Sequence, residues 1–236
     1  MCDQSIQAVV PVALKEVFEA IAPQFTAATG YRIDRALMLN PEVPDHVAGG
    51  GAWSIALSNP PYIEKILRAG AGDGGMHRLG YAPLAFAMRG EACAPPLEHP
   101  NDIASFLVAA ESIAITEKGT SGAQFAQLAK HLGLLQDLQP KLQLLPGGGP
   151  MAALQEGNAE VAALPLTNIA SVAGVFAKAV CPYSMDVHID LAFCVSALAN
   201  TATASFARWL LDPMQKETLQ ALGLRPCKGE AHPVLA

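Results

Sequence analysis

Neither nucleotide fingerprint occurs in this sequence. The turn after the first apolar run, Pro11-Val12-Ala13, lacks the GxGxxG that lets a backbone approach a pyrophosphate, and no GxxxxGK[ST] is present. GxSxG is absent as well, which leaves a serine hydrolase without support. His46, His77, His99, His131, His188 and His232 are scattered, with no metal-ligand spacing such as HxxxH, so ordinary surface or core roles are expected for most of them. The cysteines Cys2, Cys93, Cys181, Cys194 and Cys227 are odd in number and widely spaced, with no CxxC. That pattern indicates neither a zinc site nor a disulfide framework and leans toward buried or idle thiols in a reducing compartment. No cofactor and no metal are expected.

Charge is also scarce. Asp, Glu, Lys and Arg make up 15% of the 236 residues, the net charge is −6, and no run of Lys and Arg stands out. Nucleic-acid binding is therefore not expected. No apolar stretch reaches the ~20 uncharged residues a membrane helix needs, so no membrane insertion is expected. Met1–Ser5 lacks the basic opening of a signal peptide, and a strand-like run begins at Ile6. The expectation is a cytoplasmic protein if Met1 is the native start and a periplasmic one if a leader has been removed. Cys2 could also mimic the first residue of a mature lipoprotein, with few residues between the lipid and that run.

What is present is an alternation of strands and helices. Half of the chain is apolar, enough for real cores. Ile6–Val10 reads as a buried strand. Val12, Leu14, Val17, Phe18, Ile21 and Phe25 then mark one face of a helix that has Pro11 near its first turn and ends at Gly30. Residues 31–39 and 53–57 read as further strands, with a loop over 40–51 that has room for a short helix. A helix opens at Ser58-Asn59-Pro60-Pro61, with Ser58 or Asn59 as its N-cap. Strands follow at 80–88, 112–116, 141–145, 160–164, 175–180 and 188–196. Helices are expected at 102–110, from Gly122 to Gly133, from Met151, and at 203–211 and 213–222. This order predicts an α/β fold with a largely parallel sheet and helices on both faces.

In such sheets a ligand sits beyond the carboxyl ends of the strands, at the N-termini of the following helices. Helix N-termini carry unpaired N–H groups and the positive end of the dipole, so they favour anions. The candidate junctions are residues 10–13, Ser58-Asn59, 116–122, 147–149 and 165–168. In the third, Gly119 and Gly122 permit close backbone approach, Thr120 and Ser121 supply hydroxyls, and Lys118 adds charge nearby. Helix capping alone would also account for those hydroxyls.

The order of these segments resembles the molybdate-binding-protein-like branch of bacterial solute-binding proteins over nearly the whole chain. Ala13–Phe18 through Phe25–Gly30 looks like that family's first helix and its TG exit. Ser54–Ser58, Ser112–Thr116 with Gly119–Gly122, Ala153–Val161, Ala207–Pro213 and Gly223–Pro226 are similar to its later segments. The resemblance implies a two-lobed periplasmic-binding-protein-like fold of type II with two crossover hinge strands. One lobe would be residues 1–82 plus 195–236, the other 83–194. It further implies a monomer that closes on a small anionic ligand and is the solute receptor of an ABC permease.

Three positions depart from true molybdate binders. Pro11-Val12-Ala13 carries no hydroxyl, residues 40–51 lack an SSG, and Pro165 stands where a Tyr is common. A small organic acid fits the same kind of cleft, held by backbone amides at Val12 and Ala13 and by Asn40, Ser58, Asn59, Thr120, Ser121 and Thr167. Two other functions stay open on this scaffold. One is a proton-transfer isomerase of a small polycarboxylate, for which His46, Asp45 and Glu42 are the candidate bases. The other is a cytoplasmic metabolite sensor.

Overall fold

The computed structural model describes residues 5–227; Cys2 and His232 lie outside them. The chain forms two compact units. One runs to Tyr81 and resumes at Asp190, and the other is Ala82–Ile189.

In the first unit three strands are parallel neighbours. β1 (Ser5–Pro11) pairs β2 (Arg32–Met38) from Ser5↔Arg32 to Pro11↔Met38, and pairs β3 (Ile55–Ser58) through Val9↔Ala56. β1 and β3 are buried, whereas β2 alternates between half-buried and exposed residues, as an edge strand does. Pro11 closes β1 in an extended conformation and does not open the helix; a 3-10 turn at Val12–Leu14 intervenes before α1 (Lys15–Thr29). A proline at the last position of the strand costs no helix hydrogen bond, and it is the turn that starts the helix. Gly30 ends α1 at φ 77°, its N–H donating to the Thr26 carbonyl at 2.8 Å.

Phe18 and Phe25 of α1 pack edge-on against Phe206 of α8 (Thr201–Leu211), at ring-centroid distances of 5.9 and 4.9 Å. The C-terminal helices thus complete the core begun by α1. The Asn200 side chain accepts the Thr203 N–H at 2.9 Å and caps α8. Beyond α9 (Gln215–Ala221), Arg225 exchanges two 2.8 Å backbone hydrogen bonds with Tyr81. A Cβ at Gly80 would stand 2.3 Å from the Arg225 carbonyl oxygen, and its φ is 142°, so this approach requires glycine.

The second unit repeats the plan. β5 (Ile113–Thr116) is flanked in parallel by β6 (Leu142–Leu145) and β7 (Val161–Pro165). Side chains alternate between the faces. Ile113, Val161 and Ala163 join Phe86, Ile103, Leu107, Phe125 and Leu128 beneath α4 (Pro100–Ala109) and α5 (Thr120–His131). Ala114, Ala162 and Leu164 face Leu154 of α7 (Gly149–Glu156). Ala, not a larger residue, at 114 and 162 lets α7 lie close to the sheet.

The sheets are mixed, not largely parallel. The long strand β4 (His77–Arg89) pairs antiparallel with β7 and with β8 (Val175–Val180), and β9 (His188–Val195) pairs antiparallel with β3. β4 and β9 are the two strands by which the chain passes between the units. A chain that leaves a unit and later re-enters it arrives from the opposite direction. The reading from sequence also omits α6 (Leu135–Leu138), a short turn of helix beyond Gly133.

Cys181 and Cys194 are buried and Cys93 is exposed. Burial pushes both buried thiols up to about 12, and Asp73 adds to the effect at Cys194. The His77 ring lies tilted against Phe193, with ring centroids 5.0 Å apart, and burial holds it below the usual histidine value against a smaller pull from Asp73.

Two outcomes are expected. Iodoacetamide at pH 8 should modify Cys93 in the native protein and spare Cys181 and Cys194 until urea is added, as peptide mass spectrometry would read, because the thiolate is the reacting form. At Gly122 a Cβ would lie 2.0 Å from the Thr116 carbonyl oxygen, whereas at Gly133 it would meet nothing within 4 Å despite a φ of 72°. Gly122→Ala should therefore lower stability by about 3 kcal/mol in urea titrations, against about 1 kcal/mol for Gly133→Ala.

Candidate functional site

Parallel pairing sets the carboxyl ends of β2, β1 and β3 side by side, since Met38 faces Pro11 and Ala56 faces Val9. The residues that follow these ends are Asn40, Val12 with Ala13, and Ser58 with Asn59. The structure thus gathers the first unit's five candidates at one end of its sheet. Val12 is half-buried and Ala13 buried in the 3-10 turn after β1.

Asn40 opens a 3-10 turn, Asn40–Glu42, ahead of α2 (Val43–Ala48), so the loop expected over 40–51 is largely helical. Asn40 is buried, and both its main-chain oxygen and its Oδ1 lie in reach of the Ser58 hydroxyl, which donates at 3.1 and 3.0 Å. Its Nδ2 has no hydrogen-bond partner among the described residues.

α3 (Pro60–Arg68) follows Asn59, whose backbone is extended as at an N-cap, but neither expected side chain caps the helix. Asn59 donates through Nδ2 to the Asp190 carbonyl at 2.8 Å, tying the end of β3 to the first residues of the returning segment. The start of α3 offers little to an anion. Pro60 and Pro61 have no N–H, and the N–H groups of Tyr62 and Ile63 both donate to the Asn59 carbonyl. The junction at Ser58-Asn59 therefore lacks the free helix-N-terminal N–H groups expected there.

The second unit shows the same arrangement of strand ends. Thr116 faces Leu145 across β5 and β6, and β7 lies on the other side of β5. Thr120 and Ser121 begin the 12-residue α5, with Gly119 at its N-cap at φ 153°, a backbone that favours glycine. The missing Cβ of Gly122 is what lets the first turn of α5 close over the end of β5. Ser121 is only 9% exposed, and among the described residues its hydroxyl has no partner. Here the first-turn N–H groups belong to Thr120, Ser121 and Gly122, none of them proline, and the dipole's positive end lies with them. Thr167, in a 3-10 turn after β7, is fully buried, with Asn168 beside it nearly so. Gly148 stands at the N-cap of α7 at φ 83°, a left-handed backbone that favours glycine.

A cavity of about 490 Å3 opens in this unit between α5, α6 and β6. Its walls include Thr116, Gly119 and Gly122 but none of Thr120, Ser121 and Thr167, and they are otherwise mostly apolar. Lys118 is exposed. No candidate contact residue in either unit is charged.

The candidate bases stand apart from these strand ends in their bonding. The Glu42 carboxylate accepts the Leu39 N–H at 2.7 Å and caps its turn. Asp45 pairs with Lys65 at 3.0 Å on the exposed surface. His46 Nε2 lies 3.5 Å from the Ala52 carbonyl, with Gly51 so close that a Cβ there would be 2.3 Å from the ring. Among the described residues no group of three or more His, Cys, Asp or Glu could hold a metal ion, and no helix is long and apolar enough to cross a membrane.

Comparison with solved structures gives the fold a reference. The chain is similar to the periplasmic molybdate-binding protein of Azotobacter vinelandii, with a TM-score of 0.80 at 17% identity over 94% of this chain and 100% of that one. It is similar to the sulfate-binding protein of Mycobacterium tuberculosis, with a TM-score of 0.70 at 16% identity over 95% and 88%. The tungstate-binding protein of Desulfovibrio alaskensis gives 0.61 at 12% identity over 91% and 93%. Identities this low speak to the fold, the two-lobed α/β fold of periplasmic binding proteins. No curated protein matches the sequence. Residues 6–225 match the family of bacterial extracellular solute-binding proteins, nearly the whole chain. The chain belongs to that family.

Proposed function

We propose that this protein is the receptor for one small anion, an oxyanion or a small organic carboxylate, and hands it to an ABC permease. The observation that carries this reading is the start of α5. A 12-residue helix points its N-terminus at the end of β5, and the hydroxyl of Ser121, a largely buried residue there, has no partner among the described residues. Its proton is free for a ligand oxygen. The helix dipole favours that oxygen being negative.

The remaining contacts in this reading are Thr120 and Thr167 in the second unit, and in the first the Val12 and Ala13 backbone with Asn40. Asn59 acts there through its bond to Asp190. Neutral donors suit a ligand that is fully ionised, because they stabilise charge without exchanging a proton. The solved relatives support the class of ligand: their names record molybdate, sulfate and tungstate. The closing of the units on the ligand and the permease partner follow from the same reading.

Calorimetric titration of molybdate, tungstate, sulfate, phosphate, citrate and malonate into the purified protein tests it. At least one anion should bind, raising the melting temperature in proportion to the logarithm of its concentration. Ser121→Ala should weaken that anion about tenfold or more with little change in the melting temperature of the unliganded protein. Failure of every anion to bind, or an unaltered affinity in Ser121→Ala, would sink the reading.

A further inference from the structure

The first unit separates two roles that its polar residues share in the sequence. Ser58 and Asn40 both stand at strand ends, and each carries a donor suited to an oxyanion. Their bonding differs. Ser58 has no exposed surface, and its single proton is directed at Asn40, where the main-chain oxygen and Oδ1 lie 3.1 and 3.0 Å away. Asn40 keeps a small exposure of 5%, and its Nδ2 is without a partner among the described residues. Two N–H bonds therefore stand at this strand end and are given to no described residue of the protein.

The start of α3 supplies no donor in that place. Pro60 and Pro61 remove two backbone donors from the start of α3, and the next two N–H groups are spent on the Asn59 carbonyl. The Asn59 amide donates to Asp190. We propose that Asn40 Nδ2 is the side-chain donor by which the first unit holds a ligand oxygen. Ser58 is a positioning residue: its hydroxyl fixes which way the Asn40 amide points and does not touch the ligand. This deepens the anion-binding reading and rests on it for the donor role of Asn40; the positioning role of Ser58 stands by itself.

Orientation is what matters in this pair. With Oδ1 turned to the Ser58 proton, the amide shows the ligand its NH2. Turned over, Nδ2 would donate to the Ser58 oxygen, the Ser58 proton would go to the main-chain oxygen of Asn40, and a carbonyl lone pair would face the site and repel an anion. Removing the Ser58 hydroxyl leaves both faces open to the amide.

A double-mutant cycle in the full-length chain tests this with molybdate, sulfate and citrate as probes, each titrated separately by calorimetry. Asn40→Ala should weaken whichever of these binds by about 10- to 100-fold, and Asn40→Asp by more, because the carboxylate repels the anion. Ser58→Ala should weaken it about three- to tenfold alone and less than twofold in the Asn40→Ala background, since its effect runs through the amide. Ser58→Thr should restore affinity. An equal loss from Ser58→Ala in both backgrounds would make Ser58 a ligand contact and overturn the positioning role. Unchanged or tighter binding by Asn40→Ala would overturn the donor role while leaving the anion receptor intact. If none of these three binds, and tungstate, phosphate and malonate do not bind either, the donor role falls together with the receptor reading. The positioning role is then decided in the unliganded protein, where the Asn40 side-chain NH2 signals should be single and sharp by NMR. They should broaden or double in Ser58→Ala; no change there would overturn it.

Discussion

In-register parallel pairing of β1 with β2 and β3 is the constraint on which the first unit's polar end depends. It fixes three chain exits at one level, so that residues 28 and 18 positions apart in sequence become neighbours around Pro11. A slip of one residue would turn every buried side chain of β1 toward the wrong face. Val9 and Val10, with no exposed surface, make such a slip costly. The Asn40–Ser58 bond is then a consequence of register, because neither residue could reach the other from a shifted strand. The second unit obeys the same rule through β6, β5 and β7, and its polar end is likewise assembled from exits far apart in sequence.

The polar strand ends of the two units are built from different parts. At the start of α5 none of the first three residues is proline, and glycine at 122 brings the helix's first turn down onto Thr116. At the start of α3 two prolines remove backbone donors, and the polar groups there belong to side chains. Lys118 is exposed, Asp45 is engaged with Lys65, and Glu42 is spent on a backbone N–H. Neutral dipoles act only where they are held rigidly, because each contributes only a partial charge and only along its own axis.

Much of this was legible in the chain. The alternation of short apolar runs with helical periodicity marks the strands and helices, since a core two layers deep leaves a buried strand and an amphipathic helix unlike each other in sequence. The glycines at 30, 119 and 122 mark the ends of elements for steric reasons that are local. What was not legible depends on distant partners. The antiparallel entry of β4 and β9 follows from where the chain goes after leaving each unit, which no local pattern records. The turn at Leu135–Leu138 is too short to show a period. At Ser58-Asn59 the local signal pointed to a cap, but the Asn59 amide is drawn instead to Asp190, 131 residues away. The loss of donors at Pro60-Pro61 was readable, because proline lacks an N–H wherever it stands. The direction of the Asn40 amide was not, since it is set by a hydroxyl from another strand.

The pairing of Tyr81 with Arg225 has a consequence for the order in which the molecule comes into being. The second unit is continuous in sequence, so every strand and helix it needs has been synthesised once Ile189 has emerged. The first unit is made from both ends of the chain. Its early strands must wait for β9, α8 and the segment that locks Arg225 against Tyr81 beside a glycine that leaves no room for error. On a ribosome that adds about 5–20 residues each second, the middle of the sequence is therefore complete before either end can close its own unit. β1, β2 and β3 spend the interval with part of their apolar surface uncovered, in the state where a chaperone has the most to hold.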